Sequence, residues 1–163
     1  MPQAARQPVR RIFTGGGNLA VYDSETRQAL ANLKERTYVP LFLRIWENAL
    51  HSLRMTAPVW VHGDISAGNL LTADGRLTAV IDFGQLGTGD PASDLVIAWT
   101  FFDRESRDVF FERLRCDAGT RARAMSRALR KALIVSAAPQ NTNVMEAGQA
   151  ARTLEQIVAD AEP

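Results

Sequence analysis

The stretch from Val61 to Gly84 constrains this chain more than any other. It runs Val61-His62-Gly63-Asp64-Ile65-Ser66-Ala67-Gly68-Asn69, passes through two apolar runs, Leu70-Leu71 and Leu77-Thr78-Ala79-Val80-Ile81, and ends in Asp82-Phe83-Gly84. Asp74-Gly75 separates the two runs, and an Asp-Gly pair between apolar segments predicts a tight hairpin. That hairpin is expected to set Asn69 at the start of one strand and Asp82 at the end of the next. The two would then lie close together, on the same edge of the ribbon as Asp64.

The residue types carry a chemical expectation. An Asp and an Asn separated by four residues, with Asp-Phe-Gly downstream, reproduce the catalytic spacing of protein kinases. Phosphoryl transfer needs an oriented hydroxyl and neutralisation of the phosphate charge by metal ions. Asp64 can accept the hydroxyl proton, while Asn69 and Asp82 offer oxygens to a hard cation such as Mg²⁺, with substrate phosphates and water completing the shell.

Each signal also has a plainer reading. Asp82 after a strand can cap a turn. His62 is expected to pack beneath the loop as a structural residue in preference to moving protons. Asp90, before Pro91, reads as a helix N-cap sooner than as a substrate ligand. Asp94 in the first helical turn can simply complement the helix dipole. Order and spacing together favour the catalytic reading.

The flanks read as helices at about 24–36, 39–54, 90–101, 104–114, 117–135 and 143–160. In the second, Leu41, Phe42, Ile45, Trp46, Ala49, Leu50 and Leu53 recur at helical spacing, leaving Arg44, Glu47 and a solvated His51 outside. In the fifth, Arg123, Arg127 and Arg130 lie opposite the apolar face; a phosphate or nucleic-acid patch is conceivable, and a solvated helix face is the expectation. Pro139 is expected to end that helix. The last helix is expected to bury Ala147, Ala150, Ala151, Leu154, Ile157 and Val158. No internal repeat or low-complexity segment interrupts the pattern.

Composition narrows the class. At 163 residues and 46% hydrophobic, the chain fits one compact domain. A net charge of +1 gives no bulk reason to expect nucleic acid or an anionic membrane as partner. Lysine occurs at positions 34 and 131, and the other basic residues are arginine. A lone Cys116 forms no intrachain disulfide and suits a reducing, cytoplasmic setting. Residues 1–11 are polar and basic, without the apolar stretch of a secretion signal or membrane span.

His62-Gly63-Asp64 with Asn69, Ile81-Asp82-Phe83-Gly84, and Gly87-Thr88-Gly89-Asp90-Pro91-Ala92-Ser93-Asp94-Leu95 together resemble the signature of the aminoglycoside phosphotransferase family. Gly63 stands where protein kinases usually carry Arg, which brings the match closer to antibiotic and metabolite kinases. The resemblance implies Asp64 as catalytic base, Asn69 and Asp82 as Mg²⁺ ligands, and Asp94 as a brace on the backbone of the catalytic loop. It also implies ATP or GTP as co-substrate and a small hydroxylated acceptor. Thr14-Gly15-Gly16-Gly17-Asn18-Leu19, before Tyr22-Asp23, looks like the connector into the family's helical lobe. The likeness runs over roughly residues 12–135 and is most specific at 59–95.

The family's β-rich nucleotide lobe, with its phosphate loop and strand lysine, is expected to be absent. Gly15-Gly16-Gly17 lacks the Gly-x-Gly-x-x-Gly spacing, Lys34 sits in a charged helix tail, and Lys131 lies far downstream, so none is assigned as the nucleotide lysine. Residues 1–22 are read as tail and connector, and 23–163 as a kinase-like C-terminal lobe. The expected fold is α+β with helices dominant, a short β-ribbon carrying the catalytic loop. The expected function is transfer of the terminal phosphate of a nucleoside triphosphate to a small molecule, incomplete without a second lobe. Self-association or binding of a complementary N-lobe should follow. The alternatives are a non-catalytic kinase-like binding module and, more weakly, a metal-dependent phosphate hydrolase using Asp64 and Asp82.

Overall fold

The computed structural model describes residues 17–33, 37–52, 57–138 and 143–161. The basic start of the chain, Gly15, Gly16, Lys34, Leu53 and Pro139 lie outside them. A 3₁₀ turn at Leu19–Tyr22 leads into α1 (Asp23–Asn32) and α2 (Val39–His51). Four short strands follow: β1 (Val59–Val61), β2 (Leu70–Ala73), β3 (Arg76–Val80) and β4 (Gly87–Gly89). The chain then becomes helical through α3 (Ile97–Thr100), α4 (Arg104–Leu114), α5 (Ala118–Ala137) and α6 (Val144–Ala161). The architecture is α+β with helices dominant.

The strands form two separate antiparallel ribbons. β2 pairs with β3, with Leu70 opposite Val80, and the connection is Asp74-Gly75 as expected. Both turn residues have positive φ, 51° and 71°, the twist that matches antiparallel strands. β1 pairs with β4, Val61 opposite Gly87. Sequence pattern does not reveal this second ribbon, because Gly87-Thr88-Gly89 has no β-prone pattern of its own. It folds the Asp82-Phe83-Gly84 segment back so that Gln85 lies against Gly63.

Helix α5 is the hub, packing against α1, α2, α6 and the turn before α3. Its Ala124, Ala128, Leu129 and Leu133 are fully buried, and the alanines let neighbouring helices approach closely. On α2, Phe42, Ile45, Trp46 and Ala49 are buried at helical spacing while Arg44, Glu47 and His51 face outward, as expected. Each large side chain so buried contributes about 1.5–3 kcal/mol. Trp46 Nε1 also donates to Asp23 Oδ1 at 2.7 Å, tying α2 to the start of α1.

Three expectations are corrected. The arginines of α5 do not form a solvated face. Arg123 is buried and paired with Asp90, Arg127 donates to the Gly17 carbonyl, and Arg130 bonds Glu25 while its guanidinium lies 3.9 Å from the Tyr22 ring centroid. Elements folded over both sides of α5 supply acceptors that helical periodicity cannot reveal. On α6, Ala147 and Ala151 are exposed, and the buried residues are Ala150, Thr153 and Ile157. Leu154 and Val158 pack, partly buried, against the core as expected, and a buried ion pair, Arg107 with Asp160 at 3.2 Å, also anchors the helix. Finally, Pro91–Val96 is a 3₁₀ helix, with α-helix starting at Ile97. Asp90 caps that 3₁₀ helix, accepting from Ala92 N at 3.1 Å.

Candidate active site

Asp94 holds the loop at His62 and Gly63 by its backbone amides. Its Oδ2 accepts from His62 N and its Oδ1 from Gly63 N, both at 2.8 Å, so one carboxylate satisfies two successive amides. Charge-assisted bonds of this kind are about twice as strong as neutral ones. Gly63 sits at φ +85°, and a Cβ there would meet the Gln85 carbonyl oxygen at 2.6 Å. Glycine at this position is thus required twice, by conformation and by space.

His62 is buried and uses both ring nitrogens for support. Nδ1 accepts from Asp64 N at 3.3 Å and Nε2 donates to the Ile81 carbonyl at 2.9 Å, an arrangement that selects the Nε2–H tautomer. Its ring lies 4.7 Å from that of Phe83. His62 therefore links the loop bearing Asp64 to the strand end bearing Asp82.

The ribbon brings the two ends together. Ile81 N donates to Asn69 O at 3.0 Å, which places Asp82 one residue beyond the Asn69 pairing. Asn69 Nδ2 donates to the Asp64 carbonyl at 2.8 Å and lies 3.5 Å from Asp64 Oδ2, leaving its side-chain oxygen for another partner. Asp82 is an exposed, left-handed residue, φ 61°, and Gly84 N donates to its Oδ1 at 3.4 Å. Strain of this sort in a non-glycine residue is concentrated at functional sites. Among the described residues, no three His, Cys, Asp or Glu side chains gather into a metal cage. Asn69 and Asp82 bring one amide oxygen and one carboxylate to the end of this ribbon.

Asp90 does not reach this centre. Arg123 Nε donates to its Oδ2 at 2.6 Å in a buried pair, which Thr120 joins by accepting from Arg123. Cys116 lies apart as well, and burial, followed by the nearby Asp117 carboxylate, pushes its thiol pKa up, so it is no activated nucleophile.

One residue set aside in the sequence reading does reach the site. Lys131 Nζ is 3.8 Å from Asp64 Oδ1. A cavity of about 400 Å³ opens there between the catalytic loop, α3, α5 and α6, and a smaller one of about 240 Å³ opens toward Tyr22. Asp64 and Lys131 line both. The available clue was rarity, since lysine is scarce in this arginine-rich chain.

The model of the phosphotransferase enzyme family matches residues 4–129. An aminoglycoside 3'-phosphotransferase from Escherichia coli is 41% identical over 58 residues, covering 34% of this chain and 21% of the relative. A second from Escherichia coli and one from Salmonella typhimurium are each 38% identical over 58 residues, with the same coverage. The matched segment thus spans about a fifth of the length of these relatives. No solved structure matches significantly. No described helix is long and apolar enough to cross a membrane.

Proposed function

Because this chain belongs to the phosphotransferase enzyme family, we propose that it supplies the catalytic lobe of a kinase that phosphorylates a hydroxyl of a small molecule. The observation that carries the reading is the convergence of Asp64, Asn69 and Asp82 at one ribbon end, held by Asp94 and His62. Asp64 takes the role of base, its half-exposed carboxylate facing the cavities where an acceptor hydroxyl would sit. Asn69 and Asp82 would hold Mg²⁺, which when bound neutralises charge on the nucleotide phosphates. Asp94 and His62 keep the loop rigid, and such positioning is much of what phosphoryl transfer asks of a protein. ATP or GTP is the donor in this reading.

The larger cavity beside Asp64 is assigned to the acceptor. The nucleotide's remaining contacts would come from a lobe seated on the two ribbons, whether carried by the same polypeptide or by another. Trp60, Leu77 and Phe83 on and between those ribbons are 72%, 59% and 54% exposed, which supports such a docking face.

The test is a Mg²⁺ titration of the full chain followed by NMR. Amide shifts should centre on residues 64–69 and 82–84, with weak affinity in the absence of nucleotide, and Asp82→Asn should abolish them. Shifts confined to other surfaces would sink the assignment.

A further inference from the structure

We infer that Lys131 is a further catalytic residue of this site, its ammonium receiving the phosphoryl group on the acceptor side of Asp64. The inference rests on the reading of Asp64 as the base and adds the group that meets the transferred charge. Its first support is distance. Lys131 Nζ stands 3.8 Å from Asp64 Oδ1, near the outer limit of an ion pair, and the two side chains are 62% and 36% exposed. A pair that loose and that wet contributes little to the fold. The ammonium is thus held near Asp64 without being committed to it.

The reaction explains why a cation is needed at that spot. The acceptor oxygen passes its proton to Asp64 and bonds to the terminal phosphorus. The bond from that phosphorus to the bridging oxygen breaks, and its electron pair leaves with the nucleoside diphosphate. A base lies about 2.6–3.2 Å from the oxygen it deprotonates, so phosphoryl oxygens arriving on that oxygen come close to the Asp64 carboxylate. Until the proton has moved, two anions face each other, and a positive group that touches both offsets their repulsion. Lys131 has the reach, with a flexible four-carbon stem and three N–H donors, and its charge is unchanged throughout the step.

The surroundings favour Lys131 for the task. It lines both cavities that open at Asp64, whereas Arg127 and Arg130 line the smaller one. Those arginines are engaged elsewhere, Arg127 with the Gly17 carbonyl and Arg130 with Glu25. In the larger cavity two carboxylates, Asp64 and Glu146, stand with Lys131, the one cation among its described lining residues. An anionic group entering that wall finds its attractive charge at Lys131. The carboxylate itself is flanked from two elements. Asn69 Nδ2 lies 3.5 Å from Oδ2 on the loop side, while Lys131 approaches Oδ1 from α5.

Inorganic phosphate, standing for the phosphoryl group, tests this on the full chain by amide chemical-shift titration at constant ionic strength. Shifts should saturate at residues 64–66 and 128–132. Lys131→Gln should weaken binding there by at least about fivefold, and Lys131→Arg, which restores the charge, should keep it within about threefold. Asp64→Asn should tighten binding, because it removes the anion beside the ammonium. Lys131 is exposed, so both of its variants should keep the wild-type spectrum elsewhere, and Asp64→Asn gives an independent reading if Lys131→Gln misfolds. The inference is overturned if the phosphate shifts centre elsewhere, if they do not saturate, or if Lys131→Gln leaves the affinity unchanged. The Mg²⁺ titration at Asn69 and Asp82 reports separately on phosphotransfer. A normal Mg²⁺ response with phosphate binding that ignores position 131 removes the role of Lys131 alone. Phosphate binding at Lys131 without a Mg²⁺ response removes the reaction, and the catalytic role with it.

Discussion

Arg123 on α5 and Asp90 before the α3 segment form a buried, charge-assisted pair with Nε 2.6 Å from Oδ2. The same carboxylate caps Ala92 N, and four residues on Asp94 grips the catalytic loop. Through this pair the central helix fixes the element that fixes the loop. The helical hub and the loop bearing Asp64 are thereby mechanically linked.

Removing one partner should cost more than a lost helix cap. Asp90→Ala would leave Arg123 buried without its carboxylate, a loss of about 3–5 kcal/mol for breaking a buried pair, against about 1 kcal/mol for a cap alone. Urea unfolding of Asp90→Ala, Arg123→Met and the double variant is the measurement. The double variant should lose clearly less than the sum of the singles. Strict additivity would mean the two side chains act independently.

Asp64 should behave in the opposite manner. In a complete, active phosphotransferase containing this lobe, Asp64→Ala is expected to lower turnover by ~10²–10⁴-fold with little change in stability. Its carboxylate is partly exposed and its pair with Lys131 is loose at 3.8 Å. Steady-state kinetics set beside thermal unfolding of the same variant checks this. A variant that stays fully active rules Asp64 out as the base.

Gly63→Ala should disturb the catalytic loop. The added methyl would meet the Gln85 carbonyl at 2.6 Å in a conformation with φ +85°, and forced left-handed backbone alone costs about 1–3 kcal/mol. The spectrum should change at His62, Asp64 and residues 83–87. An unchanged spectrum there would show that the loop has slack that the contact denies.

Acid should weaken the fold before it reaches the core. Asp117 is held below its ordinary range by the Thr120 hydroxyl and then the Thr120 amide, and Asp23 by Trp46 and then Arg27. A folded-state pKa below the unfolded value of 3.8 means the stabilisation is present above that value and is lost as pH falls through the folded pKa. Urea midpoints should therefore drop as pH is lowered from about 5 toward about 2. Asp117→Asn should flatten part of that dependence. A steeper dependence in the variant would reverse the sign assigned here.

The exposed ribbon face should drive association. If a lobe normally covers Trp60 and Leu77, an interface of about 600–1,500 Å² is at stake, and the chain alone should self-associate. Light scattering should report a molar mass above the 17.9 kDa of one chain, falling toward it in Trp60→Ser/Leu77→Ser. A clean monomer that phosphorylates acceptors with ATP would overturn the proposed need for a second lobe.

Sequence by itself determined the hairpin, the order of the helices and the membership of the ribbon-end group. These are local properties: Asp74-Gly75 demands its turn, apolar spacing in α2 selects a buried stripe, and strand pairing then brings Asn69 beside the residue preceding Asp82. Tertiary structure alone decided the partners of the charged groups. Arg123 reads as a solvated residue along its helix and becomes the buried partner of Asp90, 33 positions away. Lys131 stands 67 positions from Asp64 and meets it only when α5 crosses behind the loop. Ion pairs of this kind depend on which elements pack face to face, and helical period carries no information about what covers a face. The grouping of Asp64, Asn69 and Asp82 was therefore legible in short spacings, whereas the approach of Lys131 to Asp64 emerged only from the packing of α5.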